Sequence, residues 1–93
     1  MRAVITGATS GIGKAMACQL AQDGWSLVLT GRNQTVLEQL QKNLPTAVEI
    51  LPLDLAEEEA PYQLFDFCKK KRVDLLVNNA GFGIFGRFTE TNL

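Results

Sequence analysis

Histidine is absent from this 93-residue chain, and cysteine occurs only twice, at Cys18 and Cys68. Without imidazole, and with two thiols far apart on separate predicted helices, no metal site is expected. Nor do two cysteines make a disulfide framework; they are expected as reduced, buried, small apolar side chains. An excess of either charge is also missing, since nine Lys and Arg against ten Asp and Glu leave a net charge of −1. That balance gives no electrostatic footprint for nucleic acid. The one basic cluster, Lys69 to Arg72, is expected to close a helix, where cations offset the macrodipole. No stretch approaches the roughly 20 apolar residues of a membrane span. Thr6 and Gly7 also interrupt the first apolar run too early for a secretory signal. A cytoplasmic protein is expected, with neither nucleic acid nor membrane as partner.

Linkers, repeats and low-complexity segments are lacking too. The length suits one small domain with a thin core, and 46% apolar residues make a globular composition.

What the chain does have is a glycine pattern in a telling place. Thr6-Gly-Ala-Thr-Ser-Gly-Ile-Gly13 follows the apolar run Ala3, Val4, Ile5 and precedes a helical pattern starting near Ile12. Strand, glycine turn, helix is the context in which such a pattern cradles a phosphate. Gly7 can leave the strand through a conformation closed to residues with a Cβ. Gly11 leaves room for a pyrophosphate to approach the backbone, and Gly13 allows close packing of helix on strand. The helix then opens with unpaired N–H groups and partial positive charge, which favour an anion. The same glycines would also serve a tight turn with no ligand.

Further along, Ile12, Ala15, Met16 and Leu20 recur at helical spacing and are expected to cover a sheet. Gly24 stops that helix. Trp25 to Thr30 reads as a second strand. Asn33 caps a second helix with the stripe Val36, Leu37, Leu40, Leu44, ended by Pro45. Val48 to Leu53 reads as a third strand, and Pro52 suits an edge position. A third helix is expected to carry Glu57, Glu58 and Glu59 in its first turn, bury Leu64, Phe65 and Cys68, and close with Lys69 to Arg72. Val73 to Val77 is a fourth strand, followed by Asn78-Asn-Ala-Gly81. Four strands alternating with three helices predict an α/β, doubly wound parallel sheet with ligands at the carboxyl ends of its strands.

In dinucleotide-binding folds an acid about 20 residues past the glycines holds a free ribose 2′-hydroxyl, whereas an Arg accommodates a 2′-phosphate. Gly31 and Arg32 occupy that place here, with no acid. A guanidinium can pair with the phosphate in a fork, so NADP(H) is expected over NAD(H), unless Arg32 is simply a surface residue. Asp54 could accept from the adenine amino group or cap the third helical region.

These three elements, the glycine loop, Asp54-Leu55 and Asn78-Asn-Ala-Gly81, resemble the short-chain dehydrogenase/reductase family in order and spacing over the whole chain. The resemblance implies a Rossmann-type domain in a nicotinamide-dependent oxidoreductase acting on a carbonyl or alcohol substrate. Carried over, Gly7, Gly11, Ile12 and Gly13 would contact the pyrophosphate. Ser10 would lie near the adenosine ribose, and Arg32 at its 2′-phosphate. Asp54 and Leu55 would meet the adenine. Asn79, Ala80 and Gly81 would line the cofactor and steady the central strands.

Members of that family continue into a second half carrying a catalytic Ser and a Tyr-x-x-x-Lys, which this chain does not contain. Tyr62, the only tyrosine, is followed four positions later by Asp66. The expectation is therefore an incomplete dinucleotide-binding domain over residues 1–93, with no catalytic residue and no turnover of its own. A fourth strand without a further neighbour, and the apolar tail from Phe82 to Leu93, are expected to drive self-association, or the tail to be disordered. The alternatives are a non-catalytic nucleotide-binding or sensor module, and a structural fragment with an empty site.

Overall fold

The two central strands are short apolar runs buried from both sides, as a parallel sheet requires. In the computed structural model, which describes residues 1–54 and 57–79, the element order is β1 (Arg2–Thr6), α1 (Gly11–Gln22), β2 (Ser26–Gly31), α2 (Gln34–Asn43), β3 (Val48–Pro52), α3 (Ala60–Cys68) and β4 (Leu75–Asn78). The strands form one parallel sheet in the order β3-β2-β1-β4. Alternate residues of β1 and β2 feed two cores. Ala3, Ile5, Leu27 and Leu29 pack with Ala17, Ala21, Leu37 and Leu40 of α1 and α2. On the other face, Val4 and Val28 pack with Leu64 and Cys68 of α3 and with Val73. The doubly wound sheet expected from the sequence is thus present, and β3, which carries Pro52, is an edge strand.

The chain turns from β1 toward β2 on one side and reaches β4 on the other. The carboxyl ends of β1 and β4 therefore flank the switch point where ligands enter open sheets of this kind. At the opposite end the pairing of β1 with β4 is clamped. The Arg2 N–H donates to the Asp74 carboxylate at 2.9 Å, and the Asp74 N–H donates back to the Arg2 carbonyl at 2.8 Å. The Arg72 guanidinium adds an ion pair to Asp74 at 3.3 Å.

Two helices differ from their sequence reading. On α1 the buried row is Gly13, Ala17 and Ala21, not Ile12, Ala15 and Met16. Ile12 is 69% exposed, Met16 37%, and Ala15 is exposed as well. Close approach decides this: a Cβ on Gly13 would run into the Gly7 carbonyl, so the smallest residue must face the strand and its i+4 and i+8 partners follow. On α3, Glu57 to Glu59 precede the helix and Lys69 follows it. Pro61 lies in the first turn, the one place a helix tolerates the missing N–H, so the helix cannot begin much earlier.

The basic cluster is tied down locally. Lys71 pairs with Glu49 of β3 at 3.1 Å and lies over the Phe67 ring at 4.8 Å. Strand limits shift by one or two residues: Trp25, Leu53, Val73 and Asp74 fall outside, Gly31 and Asn78 inside. Cys68 is buried, but Cys18 only partly, and both are free thiols. Gly24, at φ 88°, stops α1 as expected: its N–H bonds the Ala21 carbonyl at 3.0 Å, and that of Trp25 bonds Leu20 at 3.0 Å.

Candidate functional site

The loop between β1 and α1 is shaped by its glycines. Gly7 has φ 62°, the left-handed region that glycine enters without strain. Its carbonyl collects donors from the Ser10 N–H at 3.1 Å, the Ser10 hydroxyl at 2.9 Å and the Asn79 amide at 3.2 Å. Ser10 is the N-cap of α1, its hydroxyl accepting from the Gly13 N–H at 3.2 Å and from the Asn79 amide at 2.7 Å. Asn79 thereby fastens the exit of β4 to the start of α1. One residue earlier on each strand, the Thr6 hydroxyl lies 3.1 Å from the Asn78 side-chain oxygen.

Gly11 and Gly13 have opposite surroundings. A Cβ on Gly13 would strike backbone of Gly7 and Ala8, whereas one on Gly11 would meet nothing within 4 Å. The first closes helix onto strand; the second leaves the helix N-terminus open. Ile12, between them, is exposed. No acidic side chain sits in the first turn of α1 or of α2 to repel an anion.

The loop is stitched to β2 by the Ala8 N–H, which donates to the Thr30 carbonyl at 3.0 Å. Next to that stitch, Thr9 packs over Gly31. Thr9, Arg32, Asn33, Gln34 and Thr35 line an open cleft of about 510 Å³. Arg32 is exposed and forms no ion pair with a carboxylate among the described residues. Asn33 caps α2 through the Val36 N–H at 3.2 Å, so the amino end of α2 opens on the same cleft as the guanidinium.

Of the residues singled out from the sequence, Gly7, Ser10, Gly11, Ile12, Gly13 and Asn79 converge on the β1–α1 turn, and Arg32 stands beside it. Asp54 follows β3 at the same end of the sheet, and its carbonyl accepts from the Glu57 N–H at 2.9 Å. Since the N-cap position of α3 is Glu59, Asp54 is not its cap. Leu55, Ala80, Gly81 and the tail from Phe82 to Leu93 lie outside the described residues. Sequence reasoning missed Thr9, Gln34 and Thr35 as cleft residues and took Asn33 only for a cap. The signal was available: a helix that begins directly after Arg32 must present its first turn where the guanidinium is.

The groups with displaced pKa values are elsewhere. Burial pushes the Cys68 thiol up to about 11, with the charge of nearby Lys71 working against it. The Arg2 N–H, assisted by Arg72, holds the Asp74 carboxyl below its ordinary value. Among the described residues no His, Cys, Asp and Glu cluster could hold a metal, and no helix is long and apolar enough to cross a membrane.

The chain matches the short chain dehydrogenase family over residues 1–93. It is 42% identical over 85 residues to sulfoacetaldehyde reductase 2 of Chromohalobacter salexigens, covering 87% of this chain and 34% of that one. Among solved structures, the L-sorbose reductase of Gluconobacter frateurii in complex with NADPH and L-sorbose superposes with a TM-score of 0.76 at 34% identity, covering 88% of this chain and 34% of that one. A short-chain dehydrogenase from Sphingobium yanoikuyae in complex with NADPH gives a TM-score of 0.76 at 33% identity, with 88% and 34% covered. The chain belongs to the short-chain dehydrogenase/reductase family, whose members named here are oxidoreductases. It spans about a third of the length of these relatives.

Proposed function

We propose that residues 1–93 are the cofactor-binding portion of an NADP(H)-dependent oxidoreductase acting on a carbonyl or alcohol substrate. The observation that carries this reading is an open helix N-terminus at Gly11 together with an uncompensated cation at Arg32, which shares a cleft with Thr9 of the same glycine loop. The amides of Gly11 to Gly13 would hold the diphosphate, and Arg32 with the first turn of α2 the 2′-phosphate. Ser10, Asp54, Leu55, Asn79, Ala80 and Gly81 keep the ribose, adenine and lining roles that the resemblance implies. Bound there, the nicotinamide supplies a hydride. NADPH complexes among the structurally similar reductases support the choice of cofactor.

Hydride transfer to a carbonyl also needs a proton donor within reach of the oxygen. Tyr62 is on α3 with Asp66, not a lysine, four positions on. Turnover accordingly requires residues beyond these 93, and the 93 alone bind without reacting. The alternative reading is a non-catalytic nucleotide-binding or sensor module. Fluorescence titration with NADPH and NADH, followed by an assay with carbonyl substrates, separates the readings. NADPH binding tighter than NADH with turnover in the whole protein supports the oxidoreductase; binding without turnover supports the module; no binding of either at millimolar concentration ends both.

A cytoplasmic location and self-association of residues 1–93 through β4, where Leu75 is 36% exposed, complete the proposal. Light scattering that finds a monomer over a wide concentration range would remove the second.

A further inference from the structure

At the outer edge of a sheet, backbone N–H and C=O groups stay unpaired and can take up a further strand. The register of β3 on β2 decides which groups β3 carries there. Leu27, opposite Val48, donates its N–H to the Ala47 carbonyl at 2.9 Å, and Leu53 donates to the carbonyl of Gly31, opposite Pro52, at 2.9 Å. In a parallel ladder the bonds to one neighbour come from alternate residues. Ala47, Glu49, Leu51 and Leu53 therefore turn toward β2, and Val48, Ile50 and Pro52 turn outward. Leu37 and Leu40, buried beneath α2, hold that helix so that the next position reaches the start of β3. From there the Gln41 amide donates to the Val48 carbonyl at 2.8 Å. Pro52 has no N–H to offer. Among the described residues of this edge, only Ile50 presents both an outward donor and a free outward acceptor. Beside it, the Lys71 ammonium pairs with the Glu49 carboxylate at 3.1 Å, so a strand laid along β3 would also strip water from an ion pair.

We infer that the outer edge of β3 is closed to strand addition, and that Gln41 closes it, its amide standing where the first N–H of an added strand would bond. The strand kept out is the β3 of a second copy: two copies of Val48–Pro52 related by a twofold axis would otherwise meet antiparallel along this edge. The closure bears on self-association through β4 as well. Where two β4 strands pair, both ends of the joined sheet are β3 edges, and growth stops at the dimer instead of continuing into a fibre.

The test compares the protein with Gln41→Ala and Gln41→Met, by light scattering over a range of concentrations and by amide hydrogen exchange. Ala and Met both suit a helix, so the fold is kept, and urea midpoints measured in dilute solution check this for each variant. Loss of the amide is expected to raise the scattering mass about twofold over the unsubstituted protein at the same concentration. The Ile50 N–H, expected to exchange freely in the unsubstituted protein, should become protected as the variants are concentrated. Gln41→Arg, which keeps a donor of sufficient reach, is expected to show neither change. Mass and Ile50 exchange that do not respond to loss of the amide would overturn the inference, as would a protected Ile50 N–H in the unsubstituted protein. A rise in mass that protects β4 amides and leaves Ile50 exchanging would overturn it too, while supporting association through β4.

Discussion

The side-chain amide of Asn79 donates to the Ser10 hydroxyl at 2.7 Å across 69 residues of sequence. With its bond to the Gly7 carbonyl, it ties the end of β4 to the loop on which the candidate site is built. The Ser10 hydroxyl has no capacity left: it accepts from Asn79 and Gly13 and donates to Gly7. Its first task is to hold the loop's shape.

Replacing Asn79 with Leu is expected to cost about 1–2 kcal/mol, since it removes the two hydrogen bonds that the amide donates. Ser10→Ala is expected to cost about 1 kcal/mol through the lost cap. Because the two share one network, the double variant should lose less than the sum. Urea unfolding of the four proteins measures the coupling, and strict additivity would show that the two residues act separately.

The two helix glycines should respond in opposite ways. Gly13→Ala forces a Cβ into backbone and is expected to destabilise the fold by about 1–3 kcal/mol, the usual cost of overpacking. Gly11→Ala enters open space and is expected to be neutral or to stabilise by up to about 1 kcal/mol, while weakening NADPH binding. Thermal melts with and without NADPH check both halves.

Cys68 and Cys18 should differ in reactivity. A pKa of about 11 leaves about one Cys68 thiol in a thousand ionised at pH 8, and the side chain is buried as well. Alkylation of the native protein followed by mass spectrometry should label Cys18 and spare Cys68. Equal labelling would mean that α3 does not stay packed on β1 and β2.

Asp74 should make stability sensitive to acid. Its carboxyl pKa is lowered in the folded state, chiefly by the Arg2 N–H, so its contribution is complete above the unfolded value of about 3.9. That contribution disappears as pH falls through the lower, folded value. Asp74→Asn is expected to be less stable at pH 7 and to flatten the acid limb below about pH 4. Denaturation curves from pH 2 to 7, an interval of roughly 5 units, give the comparison; parallel curves would exclude Asp74 as a source of the slope.

Much of this molecule could be read before its coordinates were known. The alternation of short apolar runs with helical patterns gave the sheet, because a parallel strand buried on both faces needs continuous Val, Ile and Leu. Gly24, Asn33 and Pro45 marked helix ends through local backbone chemistry. What escaped depended on distance in three dimensions. The exposed face of α1 follows from Gly13 pressing against Gly7, which outweighs the hydrophobicity of Ile12 and Met16. The place of Thr9 over Gly31 arises from the parallel pairing of β1 with β2, and no local pattern announces it.

The most direct measurement is amide mapping by NMR of NADPH binding to the protein and to its Arg32→Ala variant. The account predicts shifts centred on Gly11, Ile12, Gly13 and Thr9, with affinity for NADPH falling roughly tenfold or more in the variant and that for NADH nearly unchanged. NADPH binding that leaves those amides unmoved, or an Arg32 substitution that weakens both nucleotides alike, would contradict it.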